Sequence, residues 1–539
     1  MSLEEAIKKI ESLEIENSNL KLEINTLRKI VFGHKRENTP NNQEEMANSE
    51  QCSLFVTEEE ANEHLEKEIE EKIEEVIVYK KKNRKEKKAG IKKSALKDVV
   101  IKRSEFVINE NDKCPECNGN LKAVGKKVVR QEIEFKPAQF DIREIVQVVY
   151  KCEECGTDGS EKESCTFVET VVPKPILTHS FASASLATEV IYQKYCLGVP
   201  LYRQEKMWDD KGLVLPRNMM SNWNIKLTEY YFEPLYNLML KEMKATNELL
   251  HSDETTMQCN KETGRKATSN SYMWVLRSGE LEKNKGVIFK YSPSRSAETA
   301  KEYLKGFKGI LVTDGYAGYN NIEGITHAEC WAHTRRYFYE SVPLINNQMD
   351  TTAEGYKGVE YCDKLFKIER EIALLSMQEK LETRKSKSKK ILEDFFEWVQ
   401  QTSEKIIVNN KLKKAITYAL NQKKELSEFI NDARIPLSNS LAERAIRPFA
   451  VHRKNWLFAD SVAGAKANAV IYSLIESAKA NKLNTYNYIN YLLENLPQME
   501  NINDAENLSK YLPWSNELPT EILNCECTEP ENPIVTEEQ

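Results

Sequence analysis

The sequence predicts a multidomain α/β protein. Three observations predict it: short apolar runs in the order strand, strand, strand, helix, strand from about residue 246, two Cys-x-x-Cys pairs flanking a β-branched segment, and long charged stretches of helical pattern around both. At 539 residues the chain exceeds one hydrophobic core, since domains usually hold roughly 100–200 residues. Forty per cent apolar and 30 per cent charged side chains describe a polar globular protein, and no apolar stretch approaches the roughly 20 residues that span a bilayer. The opening Met-Ser-Leu-Glu-Glu lacks the basic-then-apolar pattern of a secretory signal, so a cytoplasmic protein is expected. In that reducing compartment the 12 cysteines are thiols or metal ligands rather than disulfides. A net charge of −7 gives no overall attraction to nucleic acid, so any such surface has to be local.

Residues 1–33 carry apolar side chains at heptad spacing, Leu3, Ile10, Ile24 and Val31 in one register and Ala6, Leu13, Leu20 and Leu27 in the other. Asn17 interrupts the first series. A single Asn there costs stability while fixing a two-stranded register, so a dimeric coiled coil is expected, against the alternative of one amphipathic helix packed on its own chain. Residues 34–108 read as a charged linker, acidic from Glu58 to Glu75 and basic from Lys80 to Arg103, where twelve Lys or Arg outnumber two acids. Such a run either touches phosphates nonspecifically or is a solvated tail.

Residues 109–170 hold Cys114, Cys117, Cys152 and Cys155 around β-branched and aromatic runs at Val128–Phe135 and Ile142–Tyr150. Four thiolates close the tetrahedral shell of a structural zinc ion, whereas a redox Cys-x-x-Cys would not need a second pair. This is the expected zinc-binding β module. Cys165, Cys196, Cys259, Cys362, Cys525 and Cys527 show no comparable arrangement. Residues 171–245 are helical in pattern, and Leu215 to Trp223 has the look of a recognition helix, so the region is either a helix-turn-helix that binds DNA or a structural connector.

From residue 246, Glu248–Asp253, Ser271–Leu276 and Gly286–Tyr291 read as successive strands, with Thr263-Gly264 in the first connection. Ser296–Phe307 reads as a helix with Ser296 as N-cap, and Gly309–Asp314 as a fourth strand. That order predicts a ribonuclease-H-like core whose fourth strand lies beside the first, bringing Asp253 and Asp314 together. Two adjacent, partly buried carboxylates repel one another unless a cation neutralises them, and magnesium or manganese suits oxygen donors. The core is expected over 246–345 and again over 433–515, interrupted by a helical insertion at 346–432 with helices at Tyr361–Leu375 and Lys390–Gln401. An acidic tail fills 516–539. His327, Cys330 and His333 either form another metal site or pack beside the active site.

The third acid is Glu443, in Asn439-Ser-Leu-Ala-Glu443-Arg-Ala-Ile-Arg447-Pro448. Ser440 and Glu443 also have capping-box spacing, and the two roles exclude each other in one conformation. Arg444, Arg447, Arg453, Lys454 and Trp456 would form a basic, aromatic surface for a DNA backbone, and cations beside a metal ligand are what phosphoryl transfer requires.

On these residues the chain resembles the large transposase of the insertion-sequence-66 family. The matching stretches are Val31–Glu37, Cys114–Cys117 through Cys152–Cys155, Lys194-Tyr195, Pro200–Gln204, His251–Thr255, Thr313–Tyr316, Cys330–Arg336 and Asn439–Phe458. It departs from the family where Ser438-Asn439-Ser440 stands for Asp-Asn-Asn and where His34-Lys-Arg-Glu37 stands for Arg-x-Ser-Glu. The resemblance implies an Asp-Asp-Glu triad at Asp253, Asp314 and Glu443, with magnesium or manganese for catalysis and zinc for structure. It also implies terminal inverted repeats and target DNA as partners, a nucleoid-associated dimer or higher oligomer, and small accessory transposition proteins. The alternatives are a catalytically inactive DNA-binding regulator and a ribonuclease-H-like nuclease or resolvase.

Overall fold

A computed structural model describes residues 141–151, 167–169, 171–345 and 348–523 of the protein. The expected coiled coil, the charged linker, the four zinc-ligand cysteines and the chain beyond residue 523 lie outside these. The chain divides into two compact units, one of Glu68–Val172 and one that includes Pro173–Gln539. In the first, β1 (Val149–Lys151) and β2 (Phe167–Glu169) pair antiparallel.

The second unit begins with helices. Helix α1 (Ala184–Tyr195) is capped by Ser183, whose hydroxyl accepts from the Leu186 N–H. Helix α2 (Leu201–Asp210) turns at Gly212, where φ is +83°, into α3 (Arg217–Leu227). A π-helical turn at Thr228–Phe232 carries the chain on into α4 (Glu233–Thr246). Met220, Trp223 and Leu227 of α3 are buried in the same hydrophobic core as the sheet that follows, so this face of the helix is committed to packing.

The sheet is built from β3 (Leu249–Lys261), β4 (Asn270–Ser278), β5 (Val287–Ser292), β6 (Gly309–Thr313) and β7 (Ile325–Glu329), ordered β5-β4-β3-β6-β7. The first three are antiparallel neighbours, while β6 lies parallel to β3 and β7 parallel to β6. Helix α5 (Ala297–Leu304), N-capped by Ser296 as expected, links β5 to β6. The predicted fourth strand therefore lies beside the first. Both faces of this region are buried: Leu250 and Leu311 enter one core, while Leu249, Ile310 and Val312 enter a second.

The second core is closed by the helical insertion. Before it come α6 (Trp331–Ser341) and β8 (Leu344–Ile345), which pairs with β9 (Gln348–Met349), and the insertion goes on through α7 (Glu354–Glu371), α8 (Met377–Thr383), α9 (Lys389–Ser403), α10 (Asn410–Asn421) and α11 (Lys423–Ser427). Buried Arg384 ties it back to the core, pairing with Glu369 at 2.6 Å and donating to the carbonyls of Phe429, Asp432 and Ile435. The chain returns in α12 (Ser440–Trp456), β10 (Phe458–Ser461), α13 (Val462–Ala480), α14 (Thr485–Asn495) and α15 (Ala505–Ser509). Helix α13 covers the edge of β5: the N–H groups of Val287 and Phe289 donate to the hydroxyls of Ser477 and Ser473 at 2.9 and 2.8 Å.

Strand β10 pairs parallel with the far half of β3, at Gln258, Cys259 and Lys261, whereas β6 pairs only with Leu249–His251. Between those contacts this edge of β3 is open, and Asp253 stands in the opening. The segment predicted as an acidic tail starts out packed, since Ile522 is buried and its carbonyl accepts from the Asn484 N–H. No helix among the described residues is long and apolar enough to cross a membrane.

Candidate active site

Register fixes the first pair of acids. Leu250 stands beside Leu311 and His251 beside Val312, so two residues further along the same two parallel strands come Asp253 and Asp314. Neighbouring strands run about 4.8 Å apart, so this register brings Asp253, partway along β3, beside Asp314, the residue that follows β6. Asp253 Oδ1 accepts from the Glu254 N–H at 2.8 Å, and Asp314 Oδ1 from the Tyr316 N–H at 3.1 Å, so each carboxylate is held by the backbone that follows it.

Glu443 arrives from the first turn of α12. The capping box weighed from the sequence does not form: Asn439 is the N-cap, Ser440 is already helical, and the Ser440 hydroxyl accepts instead from Arg444 at 3.3 Å. The Asn439 side chain makes no capping bond. It reaches across to β3, with its oxygen 2.9 Å from Nδ1 of His251 and its amide donating to the Ser252 carbonyl at 2.9 Å. Freed from the helix end, the Glu443 carboxylate lies 3.8 Å from Nδ1 of His333.

Burial, and then the charges of Glu254, Asp314 and Glu443, hold the Asp253 carboxyl well above its ordinary range. Asp314 and Glu443, both remote in sequence, thus act on Asp253. All their donor atoms are oxygens and their charges are mutually uncompensated, which fits a hard divalent cation such as magnesium or manganese.

Sequence reasoning missed a fourth acid. The Glu254 side chain is 1% exposed and ion-pairs with Arg295 at 2.6 Å, while Tyr319 donates its hydroxyl to the other carboxylate oxygen. Arg295 in turn lies 4.0 Å above the Tyr316 ring. The Tyr319 hydroxyl is also 3.0 Å from that of Ser252, which donates to the Val275 carbonyl. This buried carboxylate with its arginine partner lies near the other acids, the charge of Asp314 acting on it after burial.

Three further groups line the neighbourhood. Glu329 on β7 is buried, and burial, Glu425 and Asp314 push its carboxyl up to about 9, so it is protonated at neutral pH. Burial pulls His327 and His251 down to about 4, leaving both rings neutral. Of the predicted trio His327, Cys330 and His333, the first bonds to Thr313 at 2.7 Å, while the other two meet Glu443.

The expected DNA-contacting residues divide by helical phase. Glu443, Arg447 and Lys454 share one stripe of α12, and Lys454 is exposed. Arg453 and Trp456 fall in line with buried Ile446 and Phe449; Arg453 donates to Thr256 at 3.3 Å, and the Trp456 ring packs edge-on against Phe449 at 5.7 Å.

Comparison with known proteins gives the chain's family. Residues 179–467 match the family model described as transposase IS66 family, residues 111–156 that of the zinc-finger binding domain of transposase IS66, and residues 473–514 that of the IS66 C-terminal element. The zinc-finger match spans all four expected zinc ligands. The chain is 27% identical over 434 residues to the uncharacterized protein y4jD of Sinorhizobium fredii (strain NBRC 101917 / NGR234), covering 78% of this chain and 80% of that one. It is 27% identical over 429 residues to the uncharacterized protein y4qI of the same organism, covering 77% and 76%.

Proposed function

The chain belongs to the IS66 transposase family, and from that premise we propose that it binds the ends of an insertion sequence and catalyses metal-dependent strand cleavage and strand transfer, with Asp253, Asp314 and Glu443 as its catalytic acids. The observation that carries this reading is the convergence of those acids, felt at Asp253 as a carboxyl held well above its ordinary range. The strand order β5-β4-β3-β6-β7, with Asp253 on β3 and Asp314 directly after the adjacent β6, supports a ribonuclease-H-like core split into 246–345 and 433–515.

Asp253, Asp314 and Glu443 would hold magnesium or manganese, which when bound activates water or a 3′-hydroxyl for in-line attack on phosphorus and stabilises the departing oxygen. Every other task falls to the protein. Asn439 orients the start of α12 and with it Glu443. Arg447 and Lys454, on the same face as Glu443, hold backbone phosphates, and Arg444 lies one turn from the helix start to do the same. The Glu254–Arg295 pair keeps the strand beneath Asp253 rigid. In this reading the zinc module orders the DNA-binding end through Cys114, Cys117, Cys152 and Cys155, and residues 1–33 pair two chains.

A gel assay with labelled element ends, Mg²⁺ and target DNA tests it. Cleavage followed by joining is expected, and Asp253→Asn, Asp314→Asn and Glu443→Gln should each abolish both while end binding persists. Joining retained by any one removes that residue from the scheme. Cleavage without joining would make the protein a nuclease or resolvase, and binding alone an inactive regulator.

A further inference from the structure

Beside the oxygen-only set lies a group of donors of another chemical kind. Cys330 is the N-cap of α6 and His333 sits in its first turn, so Cys-x-x-His spacing turns sulfur and imidazole toward the same side. Helix α12 delivers Glu443 from across the gap. One ligand atom from each of Cys330, His333 and Glu443 lies within 4.8 Å of the other two. The Asn439 N–H donates to Cys330 Sγ at 3.2 Å, which fixes the sulfur against the helix start that carries Glu443. Nδ1 of His333 is buried without a hydrogen-bond partner among the described residues, and the Glu443 carboxylate faces it at 3.8 Å. A buried ring nitrogen left unbonded between a sulfur and a carboxylate calls for a ligand.

A thiolate, an imidazole and a carboxylate select zinc or another thiophilic ion over magnesium. We propose that Cys330, His333 and Glu443 form a zinc-class site with three protein ligands and an open fourth position, and that filling it draws Glu443 away from Asp253 and Asp314. Zinc is then a brake on the magnesium-dependent reaction, because the two metals compete for one carboxylate through different companions. The braking half rests on Glu443 being a catalytic acid, as argued above; the binding half does not. Side-chain rotations that close the donors by about 1 Å reach zinc bond lengths of about 2.0–2.3 Å. On binding, the Cys330 thiol proton passes to solvent and no electron is transferred.

The full-length protein, stripped by chelation and reloaded with Zn²⁺, is expected to hold about two zinc ions, one in the four-cysteine module and one here; Cys330→Ser and His333→Gln should hold about one. Equal zinc content in wild type and both variants overturns the site. With Co²⁺ in place of zinc, Cys330→Ser should lose the part of the thiolate charge-transfer absorption that this site contributes; an unchanged spectrum counts against it. In strand transfer with Mg²⁺, the wild type should be inhibited at roughly one-tenth the zinc concentration that inhibits Cys330→Ser. Equal sensitivity overturns the brake. If Cys330→Ser fails to fold by circular dichroism, His333→Gln supplies the same zinc-content and inhibition readouts. Full strand transfer by Glu443→Gln would fell the catalytic reading alone, since the zinc content of the Cys330 and His333 variants still decides the site.

Discussion

Nδ1 of His251 and the side-chain oxygen of Asn439 lie 2.9 Å apart in the interior, joining the strand that carries Asp253 to the helix start that carries Glu443. Asn439 is fully buried, and the same side chain also donates to the Ser252 carbonyl. Asn439→Ala leaves the His251 ring and a strand carbonyl without partners, a cost of about 1–3 kcal/mol. It also frees Glu443 to shift, and a displacement of about 1 Å at a reacting centre costs roughly a hundredfold in rate. Strand transfer should fall by that factor, the Mg²⁺ needed for half-maximal rate should rise, and end binding should hold. A variant that loses stability alone would reduce Asn439 to a packing residue.

Asp253→Asn should separate stability from activity. Burial and the surrounding acids make the charged form of Asp253 unfavourable without a cation, so a neutral side chain of the same shape relieves the folded state. The metal-free variant is expected to melt above the metal-free wild type. Magnesium at about a hundred times its dissociation constant should stabilise the wild type by about 2.7 kcal/mol and the variant far less. Calorimetry with and without Mg²⁺ checks both; equal stabilisation by magnesium would mean that Asp253 is not a ligand.

Arg295→Ala strands a carboxylate. Glu254 is almost wholly buried and Arg295 is its cationic partner, so removing the guanidinium leaves a buried charge held only by Tyr319. The loss should be about 3 kcal/mol in urea unfolding, and adding Glu254→Gln should restore part of it, since the uncompensated charge disappears. Additive losses in the double variant would show that the two side chains do not act as a pair.

The order of β3, β4, β5, α5 and β6 was legible because each is an apolar run ended by a turn or cap signal, and that order alone pairs Asp253 with Asp314. The far half of β3 was not, because Thr255–Lys261 is largely polar and buries only Met257 and Cys259 on alternate positions. Strand β7 and its buried Glu329 were missed for the same reason: Ile325–Glu329 has few apolar residues and takes its place by pairing with β6. Helix α7 starts at Glu354, seven residues before the expected Tyr361, and takes in Gly355 and Gly358, glycine being a weak helix former. They are close-approach positions, where a Cβ would run into Ser341 and into the Phe338 ring of α6. Glu254 carried no signal of its own: its role depends on Arg295 and Tyr319, which only the fold brings near.

Acid should weaken the fold through His327. The ring titrates at 6.5 when free and is pulled to about 4 in the folded protein, by burial and then by Lys424. Between those values the unfolded chain binds a proton that the folded chain refuses. The stability contributed by a neutral His327 is therefore whole above pH 6.5 and is lost as pH falls toward 4, by up to about 3 kcal/mol. His251 and His333 are depressed in the same direction, so the check is a difference: His327→Gln should flatten the decline of urea midpoints between pH 7 and pH 4.5 relative to wild type. Parallel declines would mean that His327 titrates normally in the fold.

The division of α12 by phase makes two kinds of arginine distinguishable. Arg447 and Lys454 lie on the stripe of Glu443, whereas Arg453 points with Ile446 and Phe449 toward the interior and bonds to Thr256 on β3. A phosphate contact contributes about 0.9 to the slope of log affinity against log salt concentration, so Arg447→Ala and Lys454→Ala should each lower that slope by about that amount and weaken end binding on any sequence. Arg453→Ala should leave the slope alone and lower the unfolding midpoint instead, because its loss uncovers apolar surface on β3 and on the helix. Fluorescence anisotropy across a salt series, paired with urea unfolding, reads both quantities from the same proteins. If Arg453→Ala changed the salt slope while Arg447→Ala and Lys454→Ala did not, the DNA would lie on the other side of the helix from Glu443, and the acids would be facing away from their substrate.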